Sequence, residues 1–208
     1  MAQFFSVHPE QPQQRLIRQA VEILRAGGLV AFPTDAAYSL GCQVGNAEAV
    51  ARIRAIREVG ERHHFTLMCR DLSQIAIYAR VDNSQFRLLK ATTPGSYTFI
   101  LEGTKELPRR ILHPKRKSIG LRVPAHPVPQ ALLVELNEPM LTSTLMLPGD
   151  DMPLNDPEEI RDRLERSIDL VIEAGPCGLE MTTVVDLTGA APELVRAGLG
   201  ALEPLGLD

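Results

Sequence analysis

Leu29-Val30-Ala31-Phe32-Pro33-Thr34-Asp35-Ala36-Ala37-Tyr38-Ser39-Leu40-Gly41-Cys42 is the stretch on which the fold turns. Its first four residues read as a short buried strand. At Pro33 the backbone loses a donor, so the strand must stop or reach an edge. Thr34 and Asp35 then set a hydroxyl and a carboxylate just past a strand's carboxyl end, where open α/β sheets bind ligands. A plainer alternative is a turn with a helix cap, since Pro, Thr and Asp are all turn formers.

Working outward, residues 13–26 put Leu16, Ile17, Ala20, Val21, Ile23 and Leu24 on one helical stripe, stopped by Gly27-Gly28. Downstream, Asn46 is an N-cap candidate for a helix with Ala49, Val50, Ile53 and Ile56 on its apolar side. That helix also carries Arg52, Arg54 and Arg57. Strands are expected at 65–69, 97–101, 118–123, 140–145, 170–172, 183–187 and 193–196. Short helices are expected after Asp71, over 84–90 and 128–136, and after Asp156-Pro157, a cap with proline at the first helical position. Residues 105–117 form the one basic run, with Lys105, Arg109, Arg110, Lys115, Arg116 and Lys117, and read as a surface loop. Strands alternate with helices early and cluster late, which gives α/β or α+β with a mixed sheet.

The 208 residues suit one or two domains, and no linker divides them, so a single domain is expected. A hydrophobic fraction of 44% and a net charge of −4 give no overall pull on nucleic acid; any such pull must be local. Cys42, Cys69 and Cys177 lie far apart, which argues against a disulfide framework and a structural zinc site. With no apolar run of membrane-spanning length and no signal-like start, a cytoplasmic protein without a membrane partner is expected. Phosphate-cradling Gly-x-x-x-x-Gly-Lys loops, serine nucleophile elbows and metal-ligand spacings are missing, so no metal site is expected and no catalytic residue stands out.

Several motifs in series carry more. Pro33-Thr34-Asp35-x-x-Tyr38-x-Leu40-Gly41, Pro94-Gly95-Ser96-Tyr97-Thr98, Arg122-Val123-Pro124-Ala125-His126-Pro127 and Thr182-Thr183-Val184-Val185-Asp186 with Val195-Arg196-Ala197-Gly198 resemble the YrdC/YciO-like family. This family comprises the threonylcarbamoyl-AMP synthases and their relatives; residues 4–8 and 65–71 look most like the YciO branch. The resemblance covers about residues 14–200 of one 1–208 domain. It implies a twisted, open, mixed and mostly parallel sheet with flanking helices and a concave groove. It implies chemistry joining L-threonine, bicarbonate and ATP, with Mg2+ accompanying the ATP. Thr34 and Tyr38 fall where the signature loop lines the groove. Arg122, Thr182 and Arg196 match positions used around substrate and nucleotide.

Two departures stand against full activity. The family's Lys-x-Arg falls on Arg57-Glu58-Val59 and its Ser-x-Asn on Thr144-Leu145-Met146. Arg57 and Thr144 thus keep a cation and a hydroxyl, while Val59 and Met146 remove two polar anchors. Weak or altered synthesis is expected. The alternative is a double-stranded RNA or tRNA module without synthase activity, using Arg52, Arg54 and Arg57 with Lys115, Arg116 and Lys117. Duplex RNA is read by shape and backbone, and aromatics are only 4% of the chain, too few for a single-strand stacking platform. His63 and His64 read as solvated loop residues.

Overall fold

The computed structural model describes residues 1–60 and 63–207. Among them ten strands and six α-helices follow in chain order. They are β1 (Gln3–Ser6), α1 (Gln14–Arg25), β2 (Val30–Phe32), β3 (Ser39–Gln43), α2 (Ala47–Arg57), β4 (Thr66–Met68), α3 (Leu72–Tyr78) and α4 (Asn83–Thr92). Then come β5 (Tyr97–Glu102), β6 (Ser118–Arg122), α5 (Pro127–Leu136), β7 (Met140–Thr144), α6 (Pro157–Leu164), β8 (Leu170–Glu173), β9 (Thr183–Asp186) and β10 (Glu193–Arg196). The strands form one sheet in the order β1-β8-β2-β3-β7-β4-β6-β5-β9-β10.

The mixed sheet with flanking helices is as expected, but parallel pairs are the minority. Four of nine pairings are parallel, β1–β8, β2–β8, β4–β6 and β5–β9. The reason lies in the opening stretch. Residues 39–43, expected within the signature loop, form β3, which pairs antiparallel with β2. The connection of residues 33–38 is too short for a crossover, so it returns the chain alongside itself. Gly41 makes this approach possible: a Cβ there would lie 2.6 Å from the Phe32 ring. Strand β1 was also outside the sequence expectations; its two end residues are exposed and the two between them half-buried, so no period-two signal marks it.

The caps follow the sequence. Asn46 accepts from the Ala49 amide, Asp71 from that of Gln74, and Asp156 from those of Glu158 and Glu159. Asp82 and Gln85 complete a capping box on α4.

One face of the sheet explains the site. Over its first half α1 and α5 bury Ile17, Leu24, Leu132 and Leu136 against Val30, Phe32, Met68 and Met140. Period-two alternation puts Thr66 on the same face as Met68, and Thr142 and Thr144 on that of Met140. Past α5, therefore, this face runs on without a helix over it. The residues between, Leu67, Phe99, Leu121, Leu141 and Val185, point the other way into the larger core, to which α2, α3, α4 and α6 add Ile53, Ile75, Leu89 and Ile160.

Candidate functional site

The uncovered half of that face is the floor of a cavity of about 530 Å³. Register builds the floor: Thr142 lies beside Thr66, Thr66 beside Gly120, Gly120 beside Ile100, and Thr98 beside Val184. Every one of these lines the cavity. Short threonines and a glycine leave room that larger residues would fill. A Cβ on Gly120 would already stand 3.0 Å from the Thr98 methyl and 3.1 Å from the Thr66 hydroxyl.

Cations rim the floor. Arg57, Arg122 and Arg196 line the cavity with His63 and His64, and among the described residues no carboxylate does. Five of the seven residues expected around nucleotide and substrate are therefore in the wall: Arg57, Arg122, Thr144, Thr182 and Arg196. Arg57 comes from the C-terminal end of α2. Its Nε donates to the Met146 carbonyl at 3.1 Å and its Nη1 to Ser143 Oγ at 2.6 Å. Burial, then the charge of Arg196, disfavours its protonated form. An anion placed between two such guanidiniums would relieve their repulsion. Arg196 is aimed by the Thr182 carbonyl, which accepts from Nε at 3.2 Å and Nη2 at 2.9 Å. The Thr182 hydroxyl meets that of Thr98 at 2.8 Å.

Arg122 is different. It is 5% exposed, and its Nη2 donates to Asp35 Oδ1 at 2.7 Å in a buried ion pair. Ser96 Oγ donates to the other Asp35 oxygen at 3.1 Å, so three sequence motifs meet here. Burial disfavours the charged guanidinium, and Asp35 offsets this only in part. Its Nε has no hydrogen-bond partner, the one such buried side-chain atom among the described residues. A buried donor left unmade is costly, so this N–H is an energetic weak point beside the cavity.

Thr34 and Tyr38, expected to line the groove, are not in its wall. Thr34 Oγ1 donates to the Ala37 carbonyl, accepts from the Ala36 amide and stands 3.4 Å behind Arg122 Nη2. Tyr38 is fully buried and donates to the Gly175 carbonyl at 3.2 Å. The signature loop shapes the site from behind. The plain turn alternative accounts for Thr34 itself, whereas Asp35 serves the site through Arg122.

The three α2 arginines do not share one face. Arg52 pairs with Asp169 at 2.8 Å, Arg54 covers the Phe65 ring at 4.8 Å, and Arg57 enters the cavity. In the basic run, Lys115, Arg116 and Lys117 are exposed, and Arg116 pairs with Asp186 at 3.2 Å. A shallower hollow of about 340 Å³ brings Arg54 together with Arg109 and Arg110. His126, part of a motif, caps α5 by accepting from the Val128 amide.

His63 and His64 correct the sequence expectation of solvated residues. His63 Nε2 lies 3.4 Å from Ser143 Oγ and 3.5 Å from Arg57 Nη1, with its ring edge-on to Phe65. Burial, then Arg57, Arg54 and His64, pushes its pKa down to about 4. The unfolded chain restores the ordinary value near 6.5. As pH falls from 6.5 to 4 the unfolded state therefore takes the proton first, and stability drops. Discounted for the ring's partial exposure, the loss is about 1–2 kcal/mol. Melting of wild type and His63→Gln between pH 7.5 and 4 checks this, with the shallower decline expected in the variant. His64 Nε2 is 3.4 Å from Ser118 Oγ, and its ring stacks on His113 at 4.8 Å. No thiolate competes for chemistry near neutrality, since burial pushes Cys42 up to about 12, Cys177 to about 11 and Cys69 well above its ordinary value.

The model of the Sua5/YciO/YrdC family, whose description reads "Telomere recombination", matches residues 22–198. The chain belongs to the Sua5/YciO/YrdC family. Within it, the chain is 56% identical to the uncharacterized protein YciO of Escherichia coli K12 over 98% of this chain and 99% of that one. The crystal structure of E. coli YciO superimposes with a TM-score of 0.96, covering 99% of this chain and 100% of that one. A threonylcarbamoyl-AMP synthase of Halorhodospira halophila is 34% identical over 81% of this chain and 88% of its own. P. abyssi Sua5, solved in complex with L-threonine, is 26% identical with a TM-score of 0.86, over 94% of this chain and 57% of that one.

Proposed function

We propose that the cavity binds ATP together with L-threonine, and that the protein is a threonylcarbamoyl-AMP synthase-related nucleotidyltransferase of low turnover. The observation that carries this is a cavity with no carboxylate among the described residues and with Arg57, Arg122 and Arg196 in its wall, Arg57 feeling the charge of Arg196. The family supports it through the named synthase relative and the threonine complex of P. abyssi Sua5.

The chemistry asks for position and charge more than for a nucleophile. An oxygen of the threonine carbamate attacks the α-phosphorus, and the bond to the bridging oxygen breaks as pyrophosphate leaves. Arg57 and Arg196 meet the leaving charge, while the hydroxyls of Thr144, Thr182 and Thr98 fix the phosphates and ribose. Arg122, paired with Asp35 at the wall, lends its charge to the carboxylate of the amino acid. Among the described residues no group of three His, Cys, Asp or Glu side chains stands ready for a metal. Magnesium therefore fits only as an ion carried by the nucleotide's phosphates, and no step is assigned to it.

Low turnover is the reading that the degraded motifs support. Val59 and the Met146 side chain are not in the wall; Met146 gives only its carbonyl to Arg57. Calorimetry with ATP, with and without threonine and bicarbonate, tests the reading, and no binding at millimolar ATP overturns it. Val59→Arg with Met146→Asn and Arg57→Lys is expected to raise adenylate formation at least tenfold, read by pyrophosphate release. An unchanged rate means that these anchors are not limiting.

A second reading, duplex RNA binding, draws on the exposed Lys115, Arg116 and Lys117 and the hollow of Arg54, Arg109 and Arg110. In it, affinity for a tRNA falls steeply with salt.

A further inference from the structure

Carboxylation of an amine frees a proton, and the wall of this cavity offers few places to put it. The amino acid's ammonium must first lose a proton; the amine nitrogen then bonds to the bicarbonate carbon, whose hydroxyl leaves with an amine hydrogen as water. Arginines cannot take that proton, since they hold their own throughout the ordinary pH range. Among the described residues the wall has no carboxylate, which leaves His63 and His64. Of these, His64 has its ring face against His113 and its Nε2 at Ser118.

We propose that Nε2 of His63 is the proton acceptor for carboxylation of the amino-acid substrate. This rests on the synthase-related reading. The geometry gives the tautomer. Arg57 Nη1 is a donor with no acceptor capacity, and it faces Nε2 at 3.5 Å. The ring proton therefore sits on Nδ1, and the Nε2 lone pair is turned toward Arg57 Nη1 and Ser143 Oγ at the cavity wall. Ser143 Oγ, 3.4 Å from the same nitrogen and holding Arg57 at 2.6 Å, fixes both groups relative to the floor.

The surroundings supply the timing. The charged and titratable groups bearing on His63 are Arg57 and Arg54 from α2 and His64 from its own segment, each of which disfavours the imidazolium. These neighbours keep the ring neutral at pH 7, ready to accept. A triphosphate held by Arg57 and Arg196 reverses the sign of the local field and favours the imidazolium once the proton has moved. When pyrophosphate leaves, the field reverts and the proton is released to water. Substrate charge thus raises the basicity of the group when it is needed.

The linkage has a definite sign. Between about pH 4 and the higher midpoint of the complex, anion binding takes up a proton, so affinity rises as pH falls. Outside that window it is flat. Imidazole resonances of His63, titrated with and without inorganic pyrophosphate, are expected to show the midpoint rising by at least one unit, a tenfold linkage in affinity. His63→Gln keeps a hydrogen-bonding amide near Ser143. It is expected to lower adenylate formation 10²–10⁴-fold, a loss typical of a missing base, while ATP affinity changes less than threefold. Its residual rate should climb with pH, tracking the free amine, where wild type is level. A midpoint that does not move on pyrophosphate binding overturns the proposal, as does a His63→Gln rate profile parallel to wild type. So does a wild type that binds ATP and threonine yet makes no adenylate at any pH, which leaves the binding reading standing. Failure to bind either ligand overturns the synthase-related reading itself.

Discussion

Arg122→Met lowers the midpoint of thermal unfolding by roughly 6–20 °C. The guanidinium is 5% exposed, and its partner Asp35 is held within the fold by Ser96. Removing one member of a buried pair leaves the other as an uncompensated charge, a loss of about 3–5 kcal/mol. For a chain of this size each kcal/mol moves the midpoint by about 2–4 °C. Adding Asp35→Asn should recover part of the loss, because replacing both members by neutral groups of similar volume is often tolerated. Calorimetric melts of the two single variants and the double one decide. A single variant within about 2 °C of wild type would show that the pair does not hold the signature loop. Methionine is the informative replacement, since it keeps most of the buried stem while deleting the charge.

The second large effect concerns the facing arginines. Arg57→Ala and Arg196→Ala each delete a charge-assisted contact worth about 1.5–3 kcal/mol, or roughly 10–150-fold in ATP affinity. The double variant should lose more than either single one. The two should not simply add, because the guanidiniums repel one another and removing one relieves the other. Stability should move far less. Arg57 complements the C-terminus of α2, worth about 0.3–1 kcal/mol, and its bonds to Met146 and Ser143 are partly open to solvent. Three measurements on Arg57→Ala separate the readings. A fall in ATP affinity supports the synthase-related site. A salt slope for tRNA reduced by about one unit, with ATP affinity intact, supports the RNA reading. A change in melting alone leaves Arg57 as a helix-end residue.

How much of this was legible beforehand depends on the distance between cause and effect along the chain. Caps are local, so Asn46, Asp71 and Asp156 could be read from their neighbours. The position of Arg122 and Arg196 in the wall came through motifs spaced in the family's order. Ser143 and His63 carried no such signal: a serine in a strand and a histidine in a loop become neighbours only because β4 and β7 pair antiparallel. Tyr38 misled for the opposite reason. Its hydroxyl suggested a ligand contact, but its ring is part of the core and the hydroxyl is spent on Gly175. Direction within α2 also escaped a linear reading, since Arg52, Arg54 and Arg57 look clustered in sequence while successive residues turn about 100° around the axis. Strand β3 was hidden by Gly41, a residue that weakens a strand assignment yet here admits the Phe32 ring.

The sheet order has a consequence for how the cavity comes into being. Arg196 lies on β10, an edge strand that among the described residues pairs with β9 alone, and β9 in turn joins the body through β5. The floor from β7 to β5 rests on earlier chain, whereas the arginine that closes it is carried by the outermost ladder. Outer ladders open at lower free energy than central ones, and pairings far apart in sequence form late because their loops must close first. A pocket built this way exists in two grades, a standing half and a half that zips on. Any anion that engages Arg196 must also hold that last ladder shut, so part of its binding energy is spent on finishing the fold. Slowed amide exchange across residues 193–196 is then a direct reporter of occupancy, independent of any chemistry the bound molecule undergoes.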